Sequence, residues 1–112
     1  MDTTFTVEQR AERKRYALLD VDKSIGAAHY RELETEDGIE RIFFHTVVDE
    51  QYGGQGLAAR LAVFALQDTI AQGHKIVAVC PYIKAYVKKH AAEFSTHLVA
   101  PTRAHLEILP TE

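Results

Sequence analysis

Three of the six glycines stand within four residues, at Gly53, Gly54 and Gly56, and the hydrophobic pattern changes on crossing them. Before this loop, apolar residues occur in short β-prone runs separated by turn-forming residues. After it, Leu57, Leu61 and following apolar residues recur at helical spacing. A chain with this change of period is expected to build a sheet first and then to cover it with helices.

The segment before the loop predicts four strands. Asp37-Gly38, a strong hairpin signal, stands between the third and the fourth. An antiparallel arrangement is the simplest interpretation, because turn residues separate consecutive runs. The predicted strands are Phe5-Thr6-Val7, Arg15 to Leu19, about Ser24 to Leu33, and about Ile39 to Val48.

The segment after the loop predicts a helix, a strand and a second helix. The first helix covers about residues 55–72, with Gly73 at its C-terminal cap. A strand rich in Val and Ile follows from Lys75 to Val79, and Pro81 suits the first turn of the next helix. From Ala91 onward we expect a last strand or an irregular tail. The fold class is therefore α/β (α+β), in the order β-β-β-β-α-β-α plus tail, with a mixed, mostly antiparallel sheet of about five to six strands.

Length and charge narrow the class of protein further. The 112 residues contain no linker or repeat, so residues 1–112 are expected to form one domain. A formal net charge of −3 argues against a nucleic-acid partner. Uncharged stretches reach only nine residues, which is too short for a membrane span, and the charged N-terminus does not match a signal peptide. These features favour a cytoplasmic protein, which we expect to be a monomer or a weak dimer.

The glycine loop has a specific chemical use. Successive glycine amides can point into one concavity, and a helix N-terminus behind them adds partial positive charge, so a phosphate or pyrophosphate is favoured. A tight strand-to-helix connection explains the glycines equally well. The chain contains no Gly-Lys-Ser/Thr, so it has no Walker-type phosphate loop.

The loop resembles the acyl-coenzyme A loop of the GNAT superfamily of N-acetyltransferases. The motif Gln/Arg-x-x-Gly-x-Gly/Ala maps onto Gly53, Gly56 and Ala58, although Gly53 replaces the usual Arg or Gln. Two further phrases resemble a branch of very short members of about a hundred residues. They are His45-Thr46-Val47-Val48 before the loop, and Cys80-Pro81-Tyr82 with Tyr86 and Lys88-Lys89-His90 after it. The resemblance covers about residues 4–99 and leaves a tail at 100–112.

The resemblance implies a sheet that parts after its fourth strand, with acetyl-coenzyme A in the cleft. The pantetheine would pair with the backbone of Thr46, Val47 and Val48. The pyrophosphate would lie on the loop residues Gly53, Gly54, Gln55, Gly56, Leu57 and Ala58. Only Ala11 to Lys14 separates the first two strands, where larger members carry helices, so the acceptor side should be open.

Side chains around the second helix are further candidates. Cys80 is predicted at the start of that helix, where the thiolate form of a cysteine is favoured, and it could accept the acetyl group. The alternatives are a buried, inert cysteine and direct attack by the acceptor with Cys80 lining the pocket. Tyr86, or Tyr82 on the same helix face, could give a proton to the leaving thiolate; the alternative is that they only pack. Lys84 and Lys88 could meet the cofactor phosphates, or they could simply be solvated.

The remaining polar residues give weaker signals. The six histidines show no ligand spacing, so we predict no metal site. His45 is either an ordinary hydrogen-bonded histidine or a base. The run from Arg10 to Arg15 reads as a solvated turn, with contact to RNA or an acidic protein as the alternative.

The sequence therefore predicts an N-acetyltransferase that moves acetyl from acetyl-coenzyme A to an unidentified amine. The alternative is a module that binds coenzyme A or acyl-coenzyme A with little or no catalysis and acts as an interaction domain. The open acceptor side, and Gly53 in place of the usual Arg or Gln, are consistent with that alternative.

Overall fold

The computed structural model of the chain describes residues 5–110 and contains one five-stranded sheet. Thr4, where the resemblance begins, and the last two residues of the predicted tail lie outside the described residues. The strands are β1 (Phe5–Arg10), β2 (Arg15–Asp20), β3 (Lys23–Thr35), β4 (Gly38–Val48) and β5 (Lys75–Ala78). The helices are α1 (Leu57–Ala71), α2 (Pro81–Lys89), α3 (Ala91–Phe94) and α4 (Arg103–Glu107).

The strands lie in the order β1-β2-β3-β4-β5. The first four are antiparallel neighbours, and β5 pairs with β4 in parallel. This parallel pair is possible because α1 carries the chain back across the sheet, as a crossover helix does. The predicted mixed, mostly antiparallel sheet is confirmed, and so is the order of strands and helices through α2.

Glycines mark both ends of α1, as the sequence indicated. Gly56 precedes the helix with φ 72°, and Gly73 follows it with φ 80°. Both values lie in the left-handed region, which glycine enters without steric cost. The helix begins two residues later and ends one residue earlier than the predicted range of 55–72.

The helices α1, α2 and α3 cover one face of the sheet. The core contains Tyr16, Leu18 and Phe43 from the strands, together with Leu61 from α1 and Ile83 from α2. Within this core the guanidinium of the buried Arg41 donates hydrogen bonds to Glu32 Oε2 and to the hydroxyl of Tyr16. Burial, followed by the hydrogen bond to Asp68, raises the pKa of Tyr16.

A β-bulge in β4 sets which residues face the helices. His29 of β3 pairs with His45, but the next residue, Tyr30, pairs with Phe43, so Phe44 is the extra residue on β4. Beyond the bulge the alternation of side chains is displaced by one position. Thr46 therefore faces the helices, where its hydroxyl meets Cys80 Sγ, while His45 lies on the opposite face.

The C-terminal segment differs from the expected strand or irregular tail. It forms α3, a 3-10 turn at Ser95–His97 and α4, and its only strand-like feature in the described residues is a single bridge from Leu98 to Ile76 of β5. The segment is held instead by a buried histidine, since Nε2 of His105 lies 2.6 Å from Oε1 of Glu40 on β4. Across residues 5–110, no helix is long and apolar enough to cross a membrane.

Candidate functional site

Strands β4 and β5 part after Phe43. The pairs between them run from Glu40 to Phe43 on β4, and the amides of Val79 and Cys80 both donate to the carbonyl of Phe43, at 2.9 and 2.8 Å. The chain then turns into α2, so β4 continues for five residues past its last described pair with β5. The sheet therefore has a gap at this point, bordered by the second half of β4.

The backbone of this part of β4 has two sides. The amide of Asp49 donates to the carbonyl of Ile25 on β3 at 2.8 Å. Hydrogen-bonding directions alternate along an antiparallel strand, so the backbone of Val47 also faces β3, whereas that of Thr46 and Val48 faces the gap. A ligand in the gap can pair with these two residues as a strand would.

A short 3-10 turn, Glu50–Tyr52, leads from β4 to the glycines. Tyr52 anchors this turn, because its hydroxyl donates to Oδ2 of Asp20 at 2.7 Å, and this hydrogen bond raises the pKa of Tyr52. The amide of Gly53 is used inside the turn, where it donates to the carbonyl of Glu50 at 3.0 Å.

The N-terminus of α1 opens directly behind the loop. In the described chain no side chain caps it, because its N-cap is Gly56. The amides of Leu57, Ala58 and Ala59 belong to the first turn and have no carbonyl one turn earlier in the helix. Such a helix end presents free donors and partial positive charge, which together bind phosphate groups.

Two adjoining cavities extend from this loop along α2. The loop cavity, of about 150 Å³, is lined by Val48, Tyr52, Gly53, Gly54, Gly56, Leu57, Ala58, Ala59 and Tyr82. The helix cavity, of about 420 Å³, is lined by Ala59, Tyr82, Ala85, Tyr86, Lys89 and His90. They share Ala59 and Tyr82, so they adjoin each other between the start of α1 and the outer side of α2, and we call the two cavities together the groove.

The structure brings most of the predicted binding residues to this groove. Val48, Gly53, Gly54, Gly56, Leu57 and Ala58 line the loop cavity, and Tyr86 lines the helix cavity. Gln55 lines neither cavity; its side chain is exposed and donates to the carbonyl of Tyr52 at 3.4 Å. Val47 is exposed on the opposite face of the sheet. Lys84 lines a third cavity, of about 440 Å³, between α2 and the C-terminal segment.

Cys80 lies where β4 and β5 part. It is the N-cap of α2, only 4% of its surface is exposed, and Sγ lies 3.4 Å from Oγ1 of Thr46. It lines none of the three cavities described above. The thiol is therefore placed between the gap and the helix layer, with a hydroxyl of β4 as its partner.

Lys89 and His90 line the groove but had not been assigned to the cofactor from the sequence, whereas Tyr82, which also lines it, had been considered as a proton donor. The ring of Tyr82 stacks on that of Tyr86, and Tyr86 lies 4.4 Å from the ring of His90. Burial raises the pKa of Tyr82, and its neighbour Tyr86 adds to the effect. Spacings of three and four along α2 place these residues on one helix face, so the helical period starting from Tyr82 could have identified them.

Among residues 5–110, no group of three or more His, Cys, Asp or Glu side chains is arranged to hold a metal ion. The run from Arg10 to Arg15 contains a 3-10 turn at Ala11–Arg13, whose three side chains are exposed.

A mixed sheet that parts beside a glycine-rich loop and an uncapped helix is the architecture of the GNAT fold. The family model described as GCN5-related N-acetyl-transferase matches residues 15–97, and the chain belongs to this family. No curated protein matches the chain.

Solved structures show the same fold at low sequence identity. An NMR structure of a GCN5-like candidate N-acetyltransferase from Staphylococcus aureus is 19% identical, with a TM-score of 0.62 over 93% of this chain and 97% of that one. A ribosomal-protein-alanine N-acetyltransferase from Brucella melitensis is 17% identical, with a TM-score of 0.50 over 90% and 70%. An aminoglycoside acetyltransferase from an uncultured soil metagenomic sample, in complex with sisomicin, is 17% identical, with a TM-score of 0.52. The match covers 82% of this chain and 57% of that enzyme.

Proposed function

We propose that the protein is an N-acetyltransferase that takes acetyl from acetyl-coenzyme A and gives it to an amine. The observation that carries the proposal is the parting of β4 from β5 beside the uncapped N-terminus of α1. Family membership supports acetyl transfer in general. When bound, acetyl-coenzyme A would supply an activated thioester.

The gap and the groove offer partners for the pantetheine and for the phosphate groups of that cofactor. The free backbone groups of Thr46 and Val48 suit the amides of pantetheine, because they continue the strand pairing that β5 leaves. The amides of Leu57 and Ala58, together with Gly54 and Gly56 in the left-handed region, suit a pyrophosphate. Lys89, on the helix cavity, adds a positive charge for phosphate groups; Lys84 lies on the other side of α2.

Cys80 and Tyr86 are the proposed catalytic residues. Cys80 would lose its thiol proton to the solvent, and its Sγ would bond to the acetyl carbon as the bond from that carbon to the sulfur of coenzyme A breaks. Tyr86 would donate a proton to the sulfur that leaves and would regain one from the solvent. The amine would then attack the acetyl carbon on Cys80 and lose a proton to the solvent, and the released Cys80 thiolate would take up a proton again. In the alternative path the amine attacks the thioester directly, and Cys80 only lines the gap.

One observation favours a second candidate function, the binding module. Cys80 is almost fully buried and lines none of the three cavities, so a thioester in the groove reaches it only if the gap opens further. A domain that binds coenzyme A without transferring acetyl would show the same groove.

Mass spectrometry and kinetics on Cys80→Ala test these paths. After incubation with acetyl-coenzyme A, we expect an acetyl adduct on Cys80 of the parent. Cys80→Ala should keep its affinity for coenzyme A and lose at least about a hundredfold in kcat/KM, roughly 2.7 kcal/mol. Thr46→Val is the matched control, because it removes the hydroxyl 3.4 Å from Sγ and leaves the thiol.

Each outcome separates the candidates. An unmodified thiol with an undiminished rate in Cys80→Ala would exclude the nucleophile and leave direct attack. Tight binding of coenzyme A without transfer to any amine would support the binding module. Absence of coenzyme A binding in calorimetry would refute both candidate functions.

A further inference from the structure

The sheet face opposite the helices carries three basic side chains in a row. Arg15 of β2 pairs with His29 of β3, and His29 pairs with His45 of β4. All three share this face, because Tyr16 and Ala28, their neighbours in the chain, belong to the core on the helix side. The two imidazole rings stack with centroids 5.7 Å apart and planes 25° apart. We call Arg15, His29 and His45 the basic row.

The bulged residue extends the basic row with an aromatic ring and a further cation. The ring of Phe44 lies 6.3 Å from that of His29, and the guanidinium of Arg31 lies over Phe44 at 5.3 Å from its centroid. The cation–π contact and the stacked rings hold these side chains in place. The result is a preformed cationic and aromatic surface.

Within residues 5–110, neither Arg15 nor Arg31 takes part in an ion pair. The carboxylate of Glu8 on the adjacent strand β1 is paired with Arg10, which stands opposite Arg15. Nε of Arg15 is buried without a hydrogen-bond partner. Burial lowers the pKa of His29, and the positive charges of Arg15, His45 and Arg31 lower it further.

We propose that the basic row binds the anionic group, a phosphate or a carboxylate, of the amine acceptor; this rests on the proposed function. A guanidinium presents a fork of donors that matches both groups, and imidazole N–H groups add to it. The position fits the reaction. His45 directly precedes Thr46, whose hydroxyl contacts Cys80 from the other face of the sheet. An acceptor held at the His45 end of the basic row would lie on β4, next to the gap between β4 and β5.

Binding is tested by NMR on the full chain saturated with coenzyme A, which blocks the loop cavity. The probes are phosphoethanolamine, β-alanine and ethanolamine, which carry the same amine with a phosphate, a carboxylate or no anion. We expect the imidazole signals of His29 and His45 to move with the first two probes and not with ethanolamine. Arg15→Gln should weaken phosphoethanolamine at least about fivefold, roughly 1 kcal/mol.

Two further variants isolate the charge of Arg15. Arg13→Gln, which removes one exposed positive charge from the nearby 3-10 turn, should change the affinity less than about twofold. Arg15→Lys keeps the charge and should restore part of the affinity if Arg15→Gln folds poorly. Equal binding by the parent and a folded Arg15→Gln, or shifts confined to the loop residues 53–58, would overturn the proposal.

Acetylation rates then test the acceptor role. The parent should acetylate phosphoethanolamine at least about tenfold better than ethanolamine in kcat/KM, and Arg15→Gln should lose this preference. Binding at the basic row without that preference would overturn the acceptor role. Failure to bind coenzyme A would instead refute the proposed function. The two failures can be distinguished, because the imidazole shifts with phosphoethanolamine do not depend on acetyl transfer.

Discussion

The two glycines at the ends of α1 allow the loop assignment to be separated from a general effect on folding. Gly56 and Gly73 have φ values of 72° and 80°, and an added Cβ at either position would meet no atom within 4 Å. At either site an added Cβ therefore costs backbone strain rather than a clash. Of these two glycines, Gly56 lines the loop cavity and Gly73 does not.

The expected magnitudes follow from that geometry. A non-glycine residue in the left-handed region costs about 1–2 kcal/mol, and a β-branched valine should be near the upper end. Gly56→Val and Gly73→Val should each lose about 2 kcal/mol of unfolding free energy, or roughly 10 °C in Tm. Gly56→Val should in addition bind coenzyme A at least about tenfold more weakly, which corresponds to about 1.4 kcal/mol, because its side chain stands in front of the helix amides.

Isothermal titration calorimetry distinguishes a loss of binding at the loop from a general effect of strain in α1. It is done at a temperature where circular dichroism shows that both variants are folded. Gly73→Val should keep the parent's affinity within about twofold, since the substitution lies at the far end of the helix. Affinities for coenzyme A that match the parent's in both variants would refute the assignment of the loop to the pyrophosphate. Equal losses in both would show that the loss comes from strain in α1.

Two more results are expected. Gly26→Ala should destabilise the fold by about 1–3 kcal/mol and weaken coenzyme A binding, because its Cβ would lie 2.7 Å from the carbonyl oxygen of Val47. Denaturation measures the first effect and calorimetry the second. Unchanged affinity would argue against the edge of β4 as a binding element. The free energy of unfolding should fall as pH drops below about 6.5. Burial and nearby cations hold the pKa of His29 below its unfolded value, so the folded chain binds this proton less readily. Urea denaturation at pH 7.5 and 5.5 should show a smaller pH dependence in His29→Gln; an identical dependence in both proteins would contradict this cause.

Local patterns were sufficient for the elements before residue 90. Alternation, the Asp37-Gly38 turn and the glycines around α1 predicted the strands, the first helix and the loop, because these signals act within a few residues of the chain. The C-terminal segment carried no comparable period. It is held by long-range contacts, such as the pairing of His105 with Glu40 across 65 residues.

The candidate site rests on two kinds of information. Short motifs in the sequence, and the resemblance they carry, predicted the loop, the second half of β4 and Cys80 as site residues, and these assignments stay predictions. The tertiary structure decided which side chains meet: the bulge at Phe44 turned Thr46 toward Cys80 and placed His45 beside His29 on the other face. Packing of α2 placed Lys89 in the groove and Lys84 outside it. Register and helix rotation depend on contacts distant in sequence, and local periodicity carries no information about them.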